Sequence, residues 1–114
     1  VKNVDRFNQE IALMKELDHP NIVKLFETFE DSETIYLVLE LCTGGELFRI
    51  DRTTGKGYFT EKMAATLMRQ ILAAVCDCHC HNIVHADLRP ESFLFLNKKE
   101  NSLLKMIKFG PGTY

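Results

Sequence analysis

The 114 residues include 46% hydrophobic and 26% charged side chains, and 14 basic against 16 acidic groups give a formal net charge of -2. That composition suits one small domain burying roughly two-thirds of its unfolded surface, and it excludes a disordered tail. Charges of both signs are interspersed, so neither a nucleic-acid footprint nor a polybasic membrane patch is present, and partners must be argued from individual sites.

No window approaches about 18 uninterrupted apolar residues and no basic segment precedes an apolar core near the start. The expectation is therefore no membrane span, no secretory signal and a cytoplasmic location. Val1 stands where an initiator methionine would, which suggests a sequence that begins inside a longer protein.

In chain order, Val4, Phe7, Ile11, Met14 and Leu17 recur at spacings of three and four and predict an amphipathic helix to about Leu17. Asp18-His19-Pro20-Asn21 ends it, because proline disfavours helical geometry in the residue before it and supplies no donor. Ile22 to Phe29 and Thr34 to Glu40 read as strands joined by an exposed hairpin at Glu30 to Glu33. Leu41-Cys42-Thr43-Gly44-Gly45 reads as a flexible joint, followed by a short helix around Glu46 to Asp51 and a loop at Thr53 to Gly57.

Thr60 is placed to cap a helix over roughly 61 to 80, with Glu61 in its first turn. Ala64, Leu67, Met68, Ile71, Leu72 and Val75 form its expected apolar stripe, with Lys62, Arg69, Gln70 and Asp77 mostly off it. Phe93 to Leu96 and Leu103 to Ile107 read as short strands around a polar turn, and Gly110-Pro111-Gly112 breaks regular structure.

Before the first of those late strands lies His85-Ala86-Asp87-Leu88-Arg89-Pro90-Glu91-Ser92. A loop of this kind can aim the Asp87 carboxylate at a hydroxyl. It resembles the protein kinase catalytic loop, His-Arg-Asp-Leu-Lys-Pro-Glu-Asn, with three of the eight positions changed. Glu10-Ile11, Leu17 to Leu25, Leu37-Val38-Leu39-Glu40, Gly44-Gly45-Glu46-Leu47-Phe48 and His81 to His85 match in the same order. The chain is similar to serine/threonine kinases of the calcium-dependent type that carry a calmodulin-like domain, from about Phe7 to Gly110.

The resemblance implies an α+β, partial protein-kinase-like fold. Residues 1–40 are the end of the small lobe, 41–45 the hinge, and 46–114 the start of the helical large lobe. It implies ATP and magnesium as cofactors of the parent class and a protein as substrate or regulator. Asp87 would be the catalytic base. Arg89 replaces a lysine that stabilises the transferred phosphate, and a planar guanidinium is not equivalent to a compact ammonium.

Glu10 would orient the ATP-binding lysine, which lies outside this sequence. Leu39 matches the residue beside the adenine pocket, Glu40 to Cys42 the hinge, Glu46 a contact to ribose or to a basic substrate residue, and Leu94 the floor beneath adenine. Ala86 removes the arginine that answers a phosphorylated activation loop. Ser92 replaces a magnesium-binding asparagine with a shorter oxygen donor.

Lys108-Phe109-Gly110 matches Asp-Phe-Gly with the magnesium-binding aspartate replaced by a cation, which repels the metal; Lys108 contacting phosphate directly is the alternative. Met14, Leu25, His85 and Phe109 match an apolar column that kinases stack between their lobes. Packing residues are kept while metal ligands are lost, so the expectation is an inactive or strongly impaired kinase fragment with weakened or absent cofactor binding. A non-catalytic, pseudokinase-like interaction module is the second reading, and the fragment reading predicts exposed apolar surface and self-association.

Cys76, Cys78, His79, Cys80 and His81 supply a third reading, a metal-binding helix. Cys76 and Cys80 share a helical face while Cys78 points away, and the spacing matches no zinc finger. Ser92, His85 and Asp87 also offer hydrolase chemistry, but no nucleophile elbow surrounds Ser92.

Overall fold

The computed structural model describes residues 2–47, 60–83 and 88–107. Helix α1, Lys2–Glu16, buries Ile11 and Met14, and Leu17 follows them into the core. That spacing of three keeps the side chains on one face. The expected stop holds for a local reason: His19 accepts from Asn21 N–H through Nδ1 at 3.0 Å and from Ile22 N–H through its carbonyl at 3.1 Å. Lys24 Nζ donates to the Leu17 carbonyl at 2.9 Å, placing a cation at the helix C-terminus.

Strands β1, Leu25–Glu30, and β2, Ile35–Leu39, pair antiparallel with a register shift between Leu25 and Glu27. Asp31 holds their turn. Its Oδ1 accepts from Glu33 N–H at 2.8 Å and Thr34 N–H at 2.7 Å, and its Oδ2 from the Tyr36 hydroxyl at 3.2 Å. The expected first strand began at Ile22, but Ile22 instead makes a parallel bridge to Met106 in the other sheet. Burying that isoleucine beside Met106 outweighs continuing the hairpin.

The second sheet has the order β3, β4, β5, all antiparallel: Gly45–Glu46, Phe93–Phe95 and Leu104–Met106. Glu46 was expected to start a helix. It lies in β3, because Thr43 N–H and Gly44 N–H bond the carbonyls of Leu96 and Phe95, both at 2.9 Å, and draw the chain onto the sheet. Residues 48–51 of that expected helix, the loop at 53–57 and the break at 110–112 lie outside the described residues. Gly44 is no flexible joint either: a side chain there would meet the Asn97 carbonyl and Phe95 Cβ, and Gly45 has φ 87°.

Helix α2, Glu61–Cys80, starts as expected, with Thr60 Oγ1 accepting from Met63 N–H at 3.1 Å. Asn82, at φ 61°, turns the chain out after it. Its buried face differs from the expected stripe. Ala74 and Cys78 are buried and Leu67, Ile71 and Val75 pack beside them, whereas Ala64, Met68 (53% exposed) and Leu72 (60% exposed) face out. Met68 and Leu72 each stand one residue, about 100°, beyond a core position, so one neighbouring layer cannot cover both.

Gln70, expected off the stripe, joins the packed side through a polar link. Its Oε1 accepts from Asn21 Nδ2 and from Leu104 N–H, both at 2.8 Å, and Asn21 Nδ2 also donates to the Leu104 carbonyl at 2.9 Å. The segment after α1, helix α2 and strand β5 are thereby fastened at one buried point.

Candidate active site

A single 3-10 turn, Pro90–Ser92, leads the chain into β4 of the second sheet. Proline at its first position suits the fixed φ the turn requires. Ser92 N–H donates to the Arg89 carbonyl at 2.9 Å, and Arg89 N–H reaches Ser92 Oγ at 3.4 Å. Ile107 N–H donates to the Ser92 carbonyl at 2.7 Å, so the entry to β4 and the exit from β5 are joined. Arg89 is exposed and Ser92 half-buried. Asp87, with His85 and Ala86 before it, and Lys108-Phe109-Gly110 lie outside the described residues.

The crossing from β2 to β3 is the other half of the site. Leu39, half-buried, pairs with Leu25. Glu40 N–H donates to the Lys24 carbonyl at 2.8 Å, while Glu40 Oε1 accepts from Lys24 N–H at 3.2 Å. Its other oxygen lies 3.1 Å from Lys105 Nζ, whose side chain is only 7% exposed. Between Glu40 N–H and Thr43 N–H, both bonded, the N–H groups of Leu41 and Cys42 have no partner among the described residues. The Leu41 side chain is 77% exposed.

Cys42 sits in the field of the same pair: burial chiefly pushes its thiol up, the Glu40 carboxylate adds to this, and the Lys105 ammonium opposes it. Across the second sheet Glu46 pairs with Leu94 and Leu94 with Lys105, so three residues of one row face the same side. The structure thus groups Glu40 and Cys42 around Lys105, Glu46 with Leu94, and Arg89 with Ser92. Glu10 is on α1, and its side chain lies outside what the structure describes.

Lys105 escaped the sequence reading, which treated Leu103 to Ile107 as a plain strand. The available signal was a lone cation inside an apolar run, since a buried lysine requires a partner.

At the end of α2, Cys78 is buried and Cys76 and Cys80 are exposed, as their helical spacing predicts. Among the described residues no group of three histidine, cysteine or carboxylate side chains is arranged to hold a metal ion. The third reading, a helix with several ligands converging on one metal, therefore loses Cys78 to the core.

A hairpin linked by a short crossing to a three-stranded sheet, with α2 packed on β5, is the mixed architecture expected of the middle of a protein kinase. Residues 1–113 match the family described as "Protein kinase domain", and the chain belongs to it. It is 53% identical over 114 residues to "Calcium-dependent protein kinase 3" of Plasmodium yoelii yoelii, covering 100% of this chain and 21% of that protein. It is 50% identical over 113 residues to "Calcium-dependent protein kinase 10" of Arabidopsis thaliana, covering 98% and 20%. With "Calcium-dependent protein kinase 5" of Plasmodium falciparum it shares 47% over 110 residues, covering 96% and 19%. The chain thus belongs to the protein kinase domain family, is similar to calcium-dependent protein kinases, and spans about a fifth of the length of the curated relatives it matches.

Proposed function

We propose that this chain is the hinge and catalytic-loop part of a serine/threonine kinase whose class transfers the ATP γ-phosphate to protein hydroxyls, and that it is itself inactive or strongly impaired in that transfer. Residues 1–40 supply the end of the small lobe, 41–45 the hinge and 46–114 the start of the large lobe. The observation that carries the reading is the pair of N–H groups at Leu41 and Cys42 that have no partner among the described residues, held between bonded neighbours. Fixed main-chain donors flanked by apolar side chains suit the edge of a planar heterocycle.

In this reading Leu39 stands beside adenine, Leu94 beneath it and Glu46 near the ribose or a basic substrate residue. Glu10 orients an ATP-binding lysine that is not among these 114 residues. Asp87 accepts the proton of the attacking hydroxyl, and Arg89 meets the transferred phosphate. Magnesium does not fit the donor set. Ser92 offers one hydroxyl oxygen, already approached by Arg89 N–H, and the Asp-Phe-Gly position holds Lys108, whereas the ion requires several oxygens. Nucleotide binding through the hinge therefore survives in weakened form without productive transfer.

The second reading, a pseudokinase-like module that binds a protein substrate or regulatory protein, is favoured by Met14 and Leu25. Both remain buried in the core while the metal positions have changed. Among the described residues no helix is long and apolar enough to cross a membrane, and the proposed location is the cytoplasm. Transfer of labelled γ-phosphate tests the impairment that both readings share: incorporation at or near background, unchanged in Asp87→Asn, is expected, and robust incorporation lost in that variant would refute it.

A further inference from the structure

The last turns of α2 carry a feature that phosphate transfer does not use. Cys76 and Cys80 are both exposed free thiols, one helical turn apart, while the intervening Cys78 is buried. The two thiols lie within hydrogen-bonding reach of one another. We propose that Cys76 and Cys80 form a two-thiolate site for a soft monovalent cation, Cu(I), on the outer face of α2.

Positions four apart on a helix have Cβ atoms about 5–6 Å apart. A disulfide needs about 3.5–4.5 Å, so this pair resists closing on itself while the helix is intact. One ion placed between the sulfurs spans the gap without unwinding the helix. Thiolate selects soft ions over magnesium and calcium. Structural zinc takes four ligands, and among the described residues no third ligand converges here, whereas Cu(I) accepts two. Binding displaces one proton from each thiol and leaves a complex of net charge one minus.

Anaerobic titration of the full chain with Cu(I), in competition with a chromophoric Cu(I) chelator, tests the site. The chain should withdraw one equivalent. Cys76→Ser and Cys80→Ser should each weaken retention by more than about tenfold, and Cys42→Ser should leave it unchanged. In the unmutated chain, bound Cu(I) should shield Cys76 and Cys80 from iodoacetamide, read by peptide mass spectrometry, while Cys42 still reacts. No withdrawal, undiminished retention in either α2 variant, equal retention of Zn(II), or alkylation of both thiols despite copper would each overturn the proposal.

Discussion

Lys105 couples the crossing to the second sheet, and it does so as a buried cation with one carboxylate partner among the described residues, Glu40 at 3.1 Å. Removing Glu40 would leave that ammonium uncompensated, so Glu40→Ala should cost about 3 kcal/mol in urea denaturation. The double change Glu40→Leu with Lys105→Met should recover most of it, because a matched apolar pair avoids the desolvation penalty. Asp31 gives a pH signature. The N–H groups of Glu33 and then Thr34 hold its carboxyl below the usual aspartate range, the Tyr36 hydroxyl adds to this, and desolvation opposes it. A folded value below the unfolded one means a contribution present above the ordinary aspartate range and lost as pH falls through the lowered value. Asp31→Ala should therefore flatten the acid limb of the stability curve. Glu40 was singled out in the sequence by its resemblance to a kinase hinge, but Lys105 was not, because an ion pair between distant strands leaves no local periodic trace.

Helix α2 shows which properties of an element can be read in advance. Its start was legible because Thr60 is a capping residue, whereas its end is set by Asn82, whose left-handed conformation was not among the signals read. Its buried face was not legible either, since two apolar rows lie side by side and only the neighbouring strand decides which is covered. Gln70 is on the covered side and accepts from both Asn21 Nδ2 and Leu104 N–H. Gln70→Leu should thus cost about 1–3 kcal/mol by stranding a buried donor. Leu72→Lys, although it replaces an apolar residue, should stay within about 0.5 kcal/mol because the position faces out. Both values follow from chemical denaturation of the two variants beside the parent. The crossing at Gly44 teaches the complementary lesson: its glycines were visible, but close approach to Asn97 requires Gly44 and a positive φ requires Gly45, rather than flexibility.

On the scale of the whole chain, Phe29 and Tyr36 pair across the outer side of the hairpin while Met68 and Leu72 stand out from α2. Each lies more than half exposed, which favours association through apolar surface. Sedimentation velocity should show mass rising with concentration, and Tyr36→Lys combined with Leu72→Lys should shift the distribution toward monomer. Apart from β3, whose Glu46 was expected to begin a helix, the order of the described elements was legible because helical and strand periods alternate along the chain. The three-dimensional grouping of Leu94, Glu46 and Lys105 required the sheet register. The central claim, a hinge that still holds nucleotide at a site unable to use magnesium, is tested most directly by thermal denaturation with increasing ADP, with and without magnesium. Because a ligand bound only to the folded state stabilises it by about 2.7 kcal/mol at a hundred times its Kd, the midpoint should climb with ADP and be indifferent to magnesium. A cooperative transition that ADP does not move, or one that moves only when magnesium is added, would contradict the account.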